Sequence, residues 1–119
     1  MSILGKLFGK PYATIDGSAA REITESGGIL VDVRSQGEWN AGHAPAARHM
    51  PVESIDRKSS ELPAGVPIVT VCRSGARSAA AARTLAAKGF EVSSVRGGMT
   101  AWQRAGGRVV AKNGREGTV

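Results

Sequence analysis

The sequence predicts an α/β domain with a mostly parallel central sheet flanked by helices. Three observations lead there. Ile29-Leu30-Val31-Asp32-Val33 and Pro67-Ile68-Val69-Thr70-Val71 are mostly apolar runs without alternation, the pattern of strands covered on both faces. Ser78 to Lys88 (SAAAARTLAAK) has the strongest helix propensity in the chain. Strand-like and helix-like segments alternate from end to end, which argues for crossover connections and parallel pairing. The chain has 119 residues, enough for one domain. Only 4% of them are aromatic, so Ala, Val, Ile and Leu must fill most of the core.

In order, Tyr12 to Ile15 reads as a short edge strand. Asp16 or Ser18 caps a helix over residues 19–26, which Gly27-Gly28 stops. The strand 29–33 follows, then one or two helical turns over residues 36–41 ended at Gly42. A short strand over residues 47–50 precedes Pro51, and residues 54–61 form a short helix ended near Pro63. After the second buried strand, helix 78–88 ends at Gly89, and residues 90–95 make the last strand. Gly97-Gly98 opens a final helix containing Met99, Ala101 and Trp102, stopped by Gly106-Gly107. Residues 12–108 thus make the domain. Residues 1–11 form an N-terminal extension, a short helix or frayed end packing Ile3, Leu4, Leu7 and Phe8 on the domain. Residues 109–119 form a polar, glycine-containing tail expected to fray.

Composition narrows the function. A single cysteine excludes an intrachain disulfide, a CxxC redox pair and a multi-cysteine zinc site. Two histidines, His43 and His49, without HxH or HExxH spacing argue against a metal site. The net charge of +6 first suggests nucleic acid. The basic residues are dispersed, however, aromatics for base stacking are scarce, and no nucleic-acid motif is present. A positive field serves a small anionic substrate equally well. No apolar run approaches the roughly 18–20 residues of a spanning helix, and the N-terminus lacks the apolar stretch of a signal peptide. The expectation is a cytoplasmic protein with no membrane or nucleic-acid partner and no cofactor.

Cys72 stands out by position. It follows the strand directly, and Arg73-Ser74-Gly75-Ala76-Arg77-Ser78 leads into the alanine-rich helix. Free N–H groups of a first helical turn and the helix dipole stabilise an anion. A tight glycine-containing loop turns further N–H groups inward. Arg73 and Arg77 add positive charge. Such surroundings lower a cysteine pKa from about 8.5 into the range of roughly 3.5–7.5, and the thiolate is the nucleophilic form. A lone cysteine is most often an inert core residue; this strand–loop–helix setting argues against that here. Ser78 is also an ordinary helix N-cap. The loop residues Arg73 to Ser78 are therefore the expected substrate-binding set, with Cys72 as the catalytic residue.

At these residues the chain resembles the rhodanese family. CRSGARS at 72–78 resembles its active-site loop. Leu30-Val31-Asp32-Val33-Arg34, Glu38-Trp39 and Gly42-His43-Ala44-Pro45-Ala46-Ala47 are similar to its LVDVR, E(Y/W) and GHIPGA segments, with Ala44 and Ala46-Ala47 as small departures. Gly97-Gly98-Met99-Thr100-Ala101-Trp102 resembles its late GGxxxW segment. The resemblance implies a single rhodanese domain and a sulfurtransferase that moves sulfane sulfur through a Cys72 persulfide. The implied donor is thiosulfate or a similar small anion, and the acceptor is cyanide, a thiol or a protein. Asp32, Arg34, Glu38 and His43 are supporting residues on this reading. Asp32 lies near the strand's carboxyl end, where it could border the site, and Arg34 and Glu38, four apart, could pair across a turn. A local network that fixes the loop after the strand is the favoured role for these charges. His43 fits a hydrogen-bonded structural role better than that of a base. Trp102 is a core anchor.

Two other functions use the same cysteine. A sulfur-relay module would carry persulfide to a partner without turning over a small donor. A related cysteine phosphatase or arsenate reductase would bind a tetrahedral oxyanion in a C-x5-R loop. Here the arginine falls at C-x4-R, which makes a smaller cradle.

Overall fold

The computed structural model describes residues 11–119, so all but the last residue of the expected N-terminal extension lies outside the described residues. Five strands and five helices follow in order: β1 (Ala13–Ile15), α1 (Gly17–Glu25), β2 (Ile29–Asp32), α2 (Gln36–Ala41), β3 (Arg48–His49), α3 (Ile55–Lys58), β4 (Ile68–Val71), α4 (Ala76–Ala87), β5 (Val92–Val95) and α5 (Gly98–Arg104). The strands form one sheet in the order β1-β5-β4-β2-β3, with every pairing parallel. The α/β class with a parallel sheet is therefore the architecture observed.

The unalternating apolar runs have the expected cause. All four residues of β4, the central strand, are buried. Successive side chains point to opposite faces, so β4 feeds two cores. Ile68 and Cys72 join Val31, Val33 and Val92 beneath Ala81, Ala82 and Leu85 of α4. Val69 and Val71 join Leu30 and Val95 on the other face, covered by Ala20 of α1 and by Met99 and Trp102 of α5. Small residues let these layers close. A side chain at Gly17 would run into the carbonyl of Ala101, so α1 and α5 meet at a glycine. Trp102 is the aromatic anchor of this face, and its indole N–H donates to the Arg108 carbonyl at 3.1 Å.

Local chemistry sets the ends. Asp16, not Ser18, caps α1; its carboxylate accepts from the Ala19 N–H at 2.8 Å. Ser35 and Glu38 form a reciprocal capping box on α2. The helix expected over residues 54–61 is broken into a 3₁₀ turn (Val52–Ser54), α3 and a second 3₁₀ turn (Ser59–Glu61). The Ser54 and Ser59 hydroxyls donate to carbonyls three residues back, at Pro51 and Asp56. These local bonds compete with the regular helical ladder.

The C-terminal tail departs from expectation. It docks instead of fraying. The backbones of His43 and Val110 exchange both hydrogen bonds, at 2.9 and 2.8 Å. The chain then turns, with the Ala111 N–H donating to the Arg115 carbonyl, and returns so that the Thr118 N–H donates to the Ala41 carbonyl. Val109 and Val119 pack on the Trp102 core. The polar composition concealed this because the docking uses backbone groups and two valines; they close the open C-terminal end of α2. No helix among the described residues is long and apolar enough to cross a membrane.

Deleting residues 109–119 removes the buried Val109 and these backbone bonds. The expected loss is about 2–4 kcal/mol of unfolding free energy. Urea titration measures it, and an unchanged midpoint would show that the tail adds nothing to the fold.

Candidate active site

Cys72 is the first residue beyond β4, at the carboxyl edge of the sheet, where ligands bind in open parallel folds. Helix α4 begins at Ala76, two residues earlier than its propensity suggested. Gly75 is its N-cap, with φ of +127°. That conformation suits glycine, and it turns the Gly75 N–H onto the Cys72 sulfur at 3.0 Å. Ser78 is therefore not the N-cap. It sits in the first turn with its hydroxyl 3.5 Å from the sulfur. The positive φ of Gly75 starts the helix at Ala76 and leaves Ser78 inside its first turn.

A second segment seats the loop. The Met99 N–H donates to the Cys72 carbonyl at 2.8 Å. Gly98 has φ of +59°, and a side chain there would strike the carbonyls of Cys72 and Arg73. The Gly97-Gly98 pair thus lets α5 begin directly against the loop.

Only 1% of Cys72 is exposed. Burial pushes its thiol up, but the Ser78 hydroxyl and the backbone N–H groups of Ser78, Gly75 and Ser74 outweigh it, leaving the pKa below the ordinary thiol value. Ser78 has further partners. Its hydroxyl lies 3.0 Å from the Gly75 carbonyl and 2.8 Å from the Ser94 hydroxyl. The Thr70 hydroxyl donates to the Ser78 carbonyl at 2.9 Å. Thr70 and Ser94 were missed in the sequence. The signal was there, because Ile68, Thr70 and Cys72 alternate onto one face of β4. The place of Ser94 on the neighbouring strand was not visible from spacing.

The charged residues divide differently from the expected pairing. Arg34 does not reach Glu38. It pairs with Asp32, with Nη2 2.8 Å from Oδ2, and both side chains are almost fully buried. Its guanidinium also donates to the Gly42 carbonyl. A buried carboxylate so close in sequence demands a partner, and this takes Arg34 away from α2. Glu38 instead crosses to Arg77, with Nη1–Oε1 at 2.6 Å and Nη2–Oε2 at 3.0 Å. Arg77, opposed by burial and helped by Ser35, lowers the Glu38 pKa to about 2. Arg77 is in turn held more firmly protonated, by Glu38 chiefly and by the nearby Cys72 charge in part. Arg73, Ser74 and Ala76 are exposed on the rim. The His43 ring N–H at Nδ1 donates to the Trp39 carbonyl at 2.7 Å, and the ring stacks on Trp39 with centroids 3.7 Å apart. The His49 Nε2–H donates to the Arg34 carbonyl at 2.7 Å. Both imidazoles are thus tied to the backbone around α2. Among the described residues no cluster of three or more His, Cys, Asp or Glu side chains could hold a metal ion.

A parallel sheet with one cysteine seated among amides at its central carboxyl edge defines a class of small α/β cysteine-loop proteins. Within that class the chain belongs to the rhodanese-like domain family, whose model matches residues 17–105. It is 40% identical over 87 residues to a protein of Allochromatium vinosum named sulfurtransferase, covering 72% of this chain and 81% of that one. It is 34% identical over 93 residues to a Pseudomonas syringae protein named thiosulfate sulfurtransferase, covering 77% of this chain and 88% of that one. The crystal structure of a rhodanese-related protein from Thermoplasma volcanium superimposes with a TM-score of 0.76 at 27% identity, covering 83% of this chain and 98% of that one.

The Glu38–Arg77 pair gives a pH signature. Its carboxyl pKa is depressed from 4.5 to about 2 on folding. The pair's contribution is therefore complete above the unfolded value and fades as pH falls from 4.5 toward 2. Because both side chains are partly exposed, Glu38→Gln should cost about 1 kcal/mol or less at neutral pH. The variant and the wild type should converge in stability near pH 2–3. Thermal melts across pH test this; a difference that stays constant with pH would show that the ion pair contributes nothing.

Proposed function

We propose that the protein is a thiosulfate-type sulfurtransferase with Cys72 as its nucleophile. The thiolate attacks the outer sulfur of thiosulfate, and a new S–S bond forms. The donor's own S–S bond breaks, and sulfite leaves with its electron pair. Cys72 is left as a persulfide. Cyanide or an acceptor thiol then attacks the terminal sulfur, takes it, and restores the thiolate. This is two-step covalent catalysis with ping-pong kinetics.

The observation that supports the reading best is the ring of donors around one buried sulfur. The Gly75 N–H at 3.0 Å and the Ser78 hydroxyl at 3.5 Å, with the amides of Ser74 and Ser78, favour an anion at this point. They stabilise the attacking thiolate first and the persulfide anion after it. These donors lower the thiol pKa and so favour the thiolate, which attacks without a general base. Arg73 stands exposed beside this cradle with no ion-pair partner among the described residues, and it is the cation free to meet an anionic donor. Arg77 shapes the same wall while bonded to Glu38. Relatives at 40% and 34% identity that are named sulfurtransferase and thiosulfate sulfurtransferase support sulfur transfer as the reaction class.

Thiocyanate formation from thiosulfate and cyanide measures the activity. Cys72→Ala should abolish it, and equal rates in both proteins would reject the reading. Intact-mass spectrometry after incubation with thiosulfate should show a gain of one sulfur, about 32 Da, on the wild type and none on Cys72→Ala. A persulfide that forms without turnover would make the protein a carrier. Hydrolysis of aryl phosphates lost in Cys72→Ser would make it a phosphatase.

Arg73→Ala should raise the KM for thiosulfate roughly 3–10-fold, with the effect shrinking at high salt. An unchanged kcat/KM in that variant would remove Arg73 from donor binding.

A further inference from the structure

The Ser78 hydroxyl has one proton and three neighbours that compete for it. The Gly75 carbonyl at 3.0 Å can only accept. The Cys72 sulfur at 3.5 Å donates while it is a thiol and can only accept once it is a thiolate or persulfide. The Ser94 hydroxyl at 2.8 Å can donate or accept. Ionising the sulfur therefore turns the Ser78 proton from the Gly75 carbonyl to the sulfur. That turn costs little, because the Gly75 carbonyl keeps the Ala79 N–H at 3.0 Å. In both states the Ser78 proton is committed elsewhere, so Ser94 must be the donor to Ser78.

We propose that Ser94 is a positioning residue for Cys72: its hydroxyl donates to Ser78 in both states, polarising the Ser78 hydroxyl and aiming its proton at the sulfur. Ser94 is buried on β5, and Ser78 is its one side-chain partner among the described residues. Its hydroxyl thus has no competing duty. Hydrogen bonds in a chain strengthen one another, so removing the outer donor weakens the inner one. The backbone of Ser78 is fixed independently by the Thr70 hydroxyl, which holds the relay in line.

The charged groups around the sulfur have partners of their own or face solvent. On α4 Arg77 is engaged by Glu38 of α2, and at the end of β2 Asp32 is engaged by Arg34. Arg73 on the loop is exposed. The groups that bond the sulfur directly are neutral donors, and Arg77 adds a longer-range charge. The role in catalysis rests on Cys72 being the nucleophile, but the coupling itself can be read without any sulfur donor.

The test is a double-mutant cycle on the thiol. The rate of iodoacetamide alkylation of Cys72 is followed against pH in wild type, Ser94→Ala, Ser78→Ala and the double variant. Ser78→Ala should raise the apparent pKa by about 1 unit, and Ser94→Ala by about 0.5 unit, a roughly threefold fall in thiolate at a pH below the midpoint. Ser94→Ala should add nothing in the Ser78→Ala background, and Ser94→Thr, which keeps the hydroxyl, should stay near wild type. An unshifted profile in folded Ser94→Ala would overturn the proposal, as would a full shift persisting without Ser78. Failure of Ser94→Ala to fold would assign the hydroxyl to stability and overturn it equally. Thiocyanate assays on the same proteins are read separately. A wild type with no turnover but an intact coupling would remove the sulfurtransferase reading and leave the relay standing.

Discussion

The structure depends on the turn at Gly75. There a buried parallel strand delivers a thiol beneath the first turn of a helix, and a single positive φ points an amide at the sulfur. A helix start has unsatisfied N–H groups that must find an acceptor. A thiol with 1% exposure cannot draw on water to stabilise its anion. Each solves the other's problem. The helix gains an acceptor, and the sulfur gains donors that replace solvent. The geometry holds only while α4 and β4 stay in place, and Ala81, Ala82 and Leu85 of α4 share one buried core with Ile68 and Cys72.

Most full charges around the sulfur are paired with one another. Asp32 and Arg34 neutralise each other in the interior, and Glu38 holds Arg77 in a two-pronged grip at the rim. A buried pair of this kind is weak evidence for stability, since desolvation offsets attraction. Its value here is geometric. Arg34 bonds the Gly42 carbonyl, which lies where α2 ends and where the C-terminal tail closes on the domain. Tail, α2, Glu38 and Arg77 thus form one chain of contacts leading from the surface to the wall of the sulfur site.

The sequence was most informative where physics is local. Unalternating apolar runs identified β2 and β4, because burial on both faces leaves no choice of residue. The position of Cys72 between strand and helix was legible for the same reason. Partner choice was not. Arg34 and Glu38 are four residues apart, but the loop between β2 and α2 turns Arg34 inward to Asp32, and spacing alone does not encode that turn. The tail looked polar because its docking is done by backbone groups, which composition does not register. Ser94 was invisible since its partner lies on a helix sixteen residues away across the β4–β5 crossover.

The same pairings bear on which anion the loop suits. A tetrahedral oxyanion would need several donors arranged around a centre beyond the sulfur, with an arginine to grip two of its oxygens. Here the Gly75 amide is spent on the sulfur itself at 3.0 Å. The arginine that would grip is already bonded twice to the Glu38 carboxylate, so an oxyanion there would have to compete with that ion pair. What remains around the sulfur is the Ser78 hydroxyl and the neighbouring loop amides, beside a rim where Arg73 is exposed. On the proposed reading, a donor brings a single sulfur to Cys72 and keeps its charged remainder at this rim. The sulfane-sulfur transfer proposed for this site has that division, because the atom that would bond to Cys72 and the group that would depart from it occupy opposite ends of the donor.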